Sequence, residues 1–299
     1  MSAAGADRGR ANTVLFVLLG VLFAIAIAEF AFLYFKNAQD RQAISFTTQI
    51  QVSSQQLSKY ASEAASGNES AFKELESTSK NMDVYVDALN KGDPKTGMPS
   101  YAGEASVTPA LAALTKSWGM LRADAKAILD NKSVILGANS SGKDFTDKLS
   151  ALNSRMSEVV NILTDRNASA SQVYIASRQM QLADRMGGRV NRILAGGTDT
   201  QASADGLSRD SRLYQTVVTG LLSGAPELNI KPLDNAAAKS IVEDVAQQWT
   251  AVNEPVKTIL DSATNVQTAK DAADKSFIDS QDVLLGASRV SQLVDGLSS

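Results

Sequence analysis

The residues of this chain best placed to do chemistry are four arginines. Arg178, Arg185, Arg189 and Arg192 lie close together in one segment. On a helix Arg189 is one turn beyond Arg185 and Arg192 two turns beyond, while Arg178 precedes Arg185 by two turns, so the four share a face. Such a stripe can meet an acidic partner. The alternative is a solvated face with intrahelical ion pairs worth at most ~0.5 kcal/mol each, in which Asp184 is expected to pair locally with one of the four. Little other chemistry is open. The chain has no cysteine and no histidine, which removes disulfides, thiolate zinc sites, cysteine nucleophiles and Ser-His-Asp triads. Its carboxylates are scattered as solvated charge rather than paired for acid–base work. The chain is therefore expected not to be an enzyme and to use no cofactor and no metal. With a net charge of −3 it offers no basic face for nucleic acid.

The elements that must position these residues are helices. Of 299 residues, 44% are apolar, 20% are charged and only six are proline, a mixture that favours helix over sheet. No stretch alternates apolar and polar residues as a strand would. The only two tryptophans open matching segments, Trp118–Asp130 and Trp249–Asp261, 131 positions apart. Leu111, Leu114, Trp118, Leu121, Ala125 and Ile128 step by threes and fours, and their counterparts Val242, Val245, Trp249, Val252, Val256 and Ile259 are all apolar. That is the seam of a packed helix, with Trp118 and Trp249 expected in the core. Leu75, Val86, Leu89 and Gly92 match Leu207, Val218, Leu221 and Gly224 at a spacing of 132, a drift expected of an old duplication.

Each copy reads as four helices. The first ends at Gly67 or Gly196 and the second at Gly92 or Gly224. Proline-containing loops follow, including the long stretch from Gly92 to Pro109, a candidate contact loop. The third helix starts at Thr108-Pro109 or Asp234 and carries the tryptophan, with a kink expected at Pro255 in the second copy only. The fourth carries Phe145, Leu149, Leu152, Met156, Val159 and Leu163, or Val283, Ala287, Val290, Val294 and Leu297. The fold class expected is all-α: a transmembrane helix plus two tandem four-helix-bundle modules with long helices, 36–166 and 167–299.

Thr13 to Phe35 is a run of 23 residues with one charge, Glu29. As a helix it spans roughly 35 Å, enough to cross a bilayer with some tilt. Phe30, Phe32, Tyr34 and Phe35 form an aromatic belt at its far end, and Arg8 and Arg10 hold residues 1–12 in the cytoplasm. The segment reads as an uncleaved signal anchor, which puts the rest of the chain outside the inner membrane. Glu29 either snorkels to the interface or makes a helix–helix contact. The last heptads still run at Ser299, as expected of a fragment of a longer receptor.

Three stretches, VSSQQLSKYASEAASGN (Val52–Asn68), SRQMQLADRMGGRVNRILAGG (Ser177–Gly197) and the region Gly206–Gly224, together with the first tryptophan segment, resemble the extracytoplasmic region of the PilJ-like chemoreceptors of type IV pilus systems. The resemblance covers nearly the whole region after the anchor and includes the duplication. It implies a periplasmic sensor for twitching motility and surface sensing that works as a homodimer. Such a sensor would contact pilin and signal through a CheW-type adaptor to a cytoplasmic histidine kinase, by way of a part absent from this chain. It also implies that Ser53, Ser54, Gln55 and Gln56, in the motif helix of the family, are a dimer-interface or ligand contact; otherwise they are plain polar surface. The same family includes sensors of nitrate-responsive kinases, whose paired arginines bind a small anion. Aligned on Arg185, the earlier arginine position holds Met180, and the first copy has Gln51 and Gln56 instead. A small-molecule or anion sensor and a single-span structural scaffold are the alternative functions.

Overall fold

The computed structural model describes the backbone of residues 4–297 and the side chains of residues 24–30 and 34–297. Eight α-helices account for most of it: α1 (Ala4–Ala65), α2 (Glu69–Lys91), α3 (Thr108–Asp130), α4 (Lys132–Asp165), α5 (Ala170–Ala195), α6 (Thr200–Ser223), α7 (Ala236–Thr250) and α8 (Asn253–Asp295), with one 3₁₀ turn at Pro226–Leu228. The described residues contain no β-strand, and two isolated bridges are the extent of extended pairing. The all-α class expected from composition is what the chain adopts.

Helix ends fall where the sequence signals put them. α1, α2, α5 and α6 stop within two residues of Gly67, Gly92, Gly196 and Gly224, all of which have positive φ. The Ser169 side chain accepts from the Gln172 N–H at the start of α5, and Asn235, one residue beyond the expected Asp234, caps α7 by accepting from Ala238.

The first tryptophan helix follows expectation and the second departs from it. In the first copy α3 runs through to Asp130 and α4 begins after a single residue, Asn131. In the second, α7 stops at Thr250 and α8 continues unbroken from Asn253 to Asp295. Residues 253–261, expected in the third helix, therefore belong to the fourth. Pro255 is the cause: it has no N–H for the carbonyl of Ala251, and its ring crowds that carbonyl. The expected kink is thus a full break one turn earlier.

The chain packs as two compact units. One comprises residues 1–55, 80–119 and 281–299, the other residues 56–79 and 120–280. Four helices, α1, α2, α3 and α8, supply residues to both.

In the first unit the core includes Ile50, Met82, Leu89, Tyr101, Leu114 and Val290. The loop after α2 is ordered: Asp93 pairs with Met98 and the Tyr101 N–H donates to the Leu89 carbonyl at 3.0 Å. The Tyr101 hydroxyl donates to Asp40 on α1 at 2.7 Å, and Gln39 donates to the Gly97 carbonyl at 2.9 Å. In the second unit α4 packs on α5, α5 on α6, α6 on α7 and α7 on α4, which closes a ring of four helices. Its core runs from Phe145 and Leu152 through Met186, Leu207 and Val245 to Ile259. The loop after α6 repeats the pattern of the loop after α2, 132 positions on: Ala225 pairs with Ile230, and Leu233 donates to Leu221 at 2.8 Å.

The expected transmembrane segment 13–35 is helical as part of α1, but the side chains of residues 1–23 and 31–33 lie outside the described residues. Among the described residues no helix is long and apolar enough to cross a membrane.

Gly92 has φ +84°, and a Cβ there would lie 2.8 Å from the Met98 carbonyl oxygen, whereas Gly97 at φ +73° faces open space. Gly92→Ala is therefore expected to cost about 2 kcal/mol and Gly97→Ala about 1 kcal/mol, from backbone strain with and without a clash. Equal losses on chemical denaturation would refute this account of the loop.

Candidate functional site

The stripe of α5 arginines is where charge concentrates. Its partner is on α6. Arg185 grips Asp210 with both prongs, Nε to Oδ2 at 2.9 Å and Nη2 to Oδ1 at 2.7 Å, and Arg189 Nε donates to the same Oδ2 at 2.8 Å. Arg192 reaches Ser203 on α6 at 3.3 Å. Arg178 does not join this group: its Nη1 donates to its own neighbour, the Tyr174 hydroxyl, at 3.1 Å, with the guanidinium 5.7 Å from the ring centre. Asp184, expected to pair with one of the arginines, instead accepts from Asn153 on α4 at 2.9 Å. The local pair fails because Asp184 turns toward α4, while the arginine face turns toward α6.

Burial decides the strength of the cluster. The Asp210 side chain is 8% exposed, Arg189 22% and Arg185 48%. Burial acts to raise the pKa of Asp210, but the hydrogen bonds and charges of Arg185 and Arg189 outweigh it and hold the carboxyl below its usual range. A bidentate, charge-assisted pair of this kind is stronger than a surface ion pair, though the half-exposed Arg185 is partly screened. The room for it comes from Gly206. A Cβ at that position would sit 2.0 Å from Nη1 and 2.2 Å from Cζ of Arg189, so the Arg189 side chain occupies the space a larger residue would fill.

Neither Asp210 nor Gly206 stands out as a motif, yet a signal was present. Ala204, Leu207, Asp210, Tyr214, Val218 and Leu221 all lie on the buried face of α6. One carboxylate in an otherwise apolar stripe must find a cationic partner, and the arginines were the available ones.

The other expected contact residues are dispersed. Ser54 is fully buried and its hydroxyl donates to the Gln51 carbonyl within α1 at 2.8 Å; Ser53 is also buried. Gln55 and Gln56 are exposed, and Gln55 accepts from Gln281 on α8 at 3.4 Å. The tryptophans are both buried but held differently. Trp118 donates from Nε1 to Asp83 at 3.0 Å. Trp249 stacks on Tyr214 at 4.3 Å between ring centres, and neither its Nε1 nor the Tyr214 hydroxyl has a hydrogen-bond partner. Among the described residues no cluster of three or more acidic side chains could hold a metal.

This duplicated all-helical chain resembles known proteins over most of its length. The chain belongs to the PilJ family, described as the N-terminal region of type IV pili methyl-accepting chemotaxis transducers, whose model matches twice, at residues 32–156 and 162–275. It is 31% identical to the Protein PilJ of Pseudomonas aeruginosa over 94% of this chain and 41% of that protein. It is 28% identical to a putative methyl-accepting chemotaxis protein, AlkN, of Alcanivorax borkumensis, over 94% of this chain and 40% of that one. The chain thus spans about two fifths of the length of these relatives. Among solved structures, the TorS sensor domain, crystallised with TorT in the presence of TMAO, aligns over 88% of this chain and 98% of that one, with 12% identity and a TM-score of 0.47.

Removing Asp210 would leave two arginines facing a buried space. Asp210→Ala is expected to cost roughly 2–3 kcal/mol, below the full buried-pair value because Arg185 is half exposed. Since the folded-state pKa of Asp210 is depressed, its contribution is complete above the ordinary carboxylate pKa of about 3.9 and is lost as pH falls through the depressed value. The wild-type and Ala proteins should therefore converge in stability only in strong acid. Gly206 yields a sharper test. In an Arg189→Ala background, Gly206→Ala should stabilise by about 0.5–1 kcal/mol, the helix-propensity gain. In the wild type that gain should vanish, because the methyl displaces Arg189 from Asp210. A double-mutant cycle showing no coupling would refute the arrangement.

Proposed function

We propose that the chain is the periplasmic sensor region of a chemoreceptor that controls type IV pilus-dependent twitching motility and surface sensing. The observation that carries this reading is the double family match, over residues 32–156 and 162–275. The receptor is held in the inner membrane by residues 13–35, with residues 1–12 in the cytoplasm. The periplasmic part consists of two homologous four-helix modules, 36–166 and 167–299. The duplicated loops after α2 and α6, with their bridges 132 positions apart, support the two-module division. The receptor works as a homodimer, contacts pilin or another pilus component, and signals to a CheW-type adaptor and histidine kinase through a cytoplasmic part.

Of the residues expected to meet a partner, the exposed Gln55 and Gln56 are the ones we assign to partner contact; Arg185 and Arg189 are engaged by Asp210 on α6. The small-anion alternative is the weaker one. The earlier arginine position aligned on Arg185 holds Met180, and Arg185 itself is already occupied by Asp210. Transmission would use α1, one unbroken helix from Ala4 to Ala65 that contains the proposed anchor. Packed helices move in discrete small shifts, so a signal can pass as a translation or rotation of that rod.

Residues 1–299 contain no cysteine, so this region adds no background to a cysteine test. Single cysteines introduced at positions 24–30 of the full-length receptor in cells should crosslink between two copies with helical periodicity. The yields should change between piliated cells and cells lacking pilin. Yields that stay constant across all pilus states would count against sensing by pilus contact.

A further inference from the structure

Beside the ionic lock, between α5 and α6 and the loop after α6, lies a groove of about 400 Å³. Its walls include Tyr174, Leu182, Leu213, Val217, Leu228 and Ile230, and no acidic residue lines it. Tyr174, Leu213 and Leu228 are exposed although apolar, so the groove opens to solvent. Arg178 and Arg185 stand among the lining residues. Arg185 is neutralised by Asp210, but Arg178 makes no ion pair among the described residues; its guanidinium rests on the Tyr174 ring with one N–H on the hydroxyl. Gln179, next to it, is 1% exposed and has no hydrogen-bond partner for either amide atom.

These features specify an occupant. A recess of this size with mostly apolar walls and a few polar groups has the dimensions of a small-molecule site. The uncompensated cation asks for an anion, and Arg presents the planar pair of donors that suits a carboxylate. A buried amide without partners is costly to keep, and a polar atom of a ligand seated over it would relieve that cost. We infer that the α5–α6 groove binds a small organic carboxylate with an apolar body. The carboxylate sits on Arg178, the body lies against Leu182, Leu213 and Val217, and Gln179 hydrogen-bonds to a polar atom of the ligand. The site goes beyond pilin contact and does not depend on it.

The test is calorimetric titration of the full chain in lipid nanodiscs with 3-phenylpropionate, a soluble carboxylate with an apolar ring. Saturable binding is expected. 3-Phenylpropanol, which lacks the charge, and acetate, which lacks the apolar body, should each bind at least tenfold more weakly. Arg178→Glu should abolish binding. Leu213→Trp, which fills the groove from its exposed side, should weaken it at least tenfold. Lys143→Gln, on α4 and outside the groove, should leave it unchanged. No saturable binding, or binding indifferent to both groove variants, overturns the inference. Failure of phenylpropionate to bind, combined with loss of pilin capture in Arg178→Glu, would also overturn it and assign the groove to a protein partner. Changes in pilus-dependent crosslinking without any effect on this titration concern the receptor function alone.

Discussion

An amphipathic helix cannot bury its own apolar stripe, and this chain is organised around that constraint. α4 buries Phe145, Leu149, Leu152, Met156, Val159 and Leu163 along one face, a spacing of three and four over five turns. α5, α6 and α7 carry corresponding faces. Closing the four into a ring removes all of these stripes from water together. Each fully buried Leu, Val or Met contributes on the order of 1.5–3 kcal/mol, and no pair of the helices could capture that by itself. In that unit the glycine-ended turns after α5 and α6, the loop after α6 and the buried ion pair operate within the geometry the ring sets.

The ion pair shows what that geometry permits. A carboxylate in an apolar stripe is ordinarily a defect. Here it is tolerated because α5 brings two guanidinium groups to it and α6 removes a side chain at Gly206 to admit one of them. The cluster favours the present register of α5 on α6, because a slide by one turn would break the two-pronged grip of Arg185 on Asp210 and move Gly206 away from Arg189. Buried polar groups are not uniformly satisfied, however. Gln179, Tyr214 and Trp249 lie in the same unit with unpartnered polar atoms. Stability in this core thus comes from apolar packing and one strong lock rather than from a complete polar network.

Much of this was legible in the sequence. The threes and fours around each tryptophan showed which faces are buried, and glycines marked where α1, α2, α5 and α6 end. Pro255 announced a disturbance in the second copy, though its effect was a break at residues 251–252 rather than a bend. What the periodicity could not convey is which stripe meets which. A seam records that a face is covered and not by what, so a division into two units cutting across four helices was out of reach. The same limit hid the partner of the arginines. Local spacing nominated Asp184, close to the arginines along the chain, whereas the actual partner, Asp210, lies across a turn on another helix. Ser54 shows a related limit: a serine can be buried on a helix by donating back to its own backbone, as Ser54 does to Gln51, so polarity alone does not place it on the surface.

The duplication also left the chain with two indoles in unlike settings. Trp118 belongs to one compact unit and gives its N–H to a carboxylate; Trp249 belongs to the other and lies against a phenol ring with its N–H unused. No other tryptophan competes with them. The protein therefore carries a pair of built-in optical probes, one per unit. Replacing either by phenylalanine isolates the emission of the other, so that disturbances in the two halves of the fold can be followed separately by light, without any attached label.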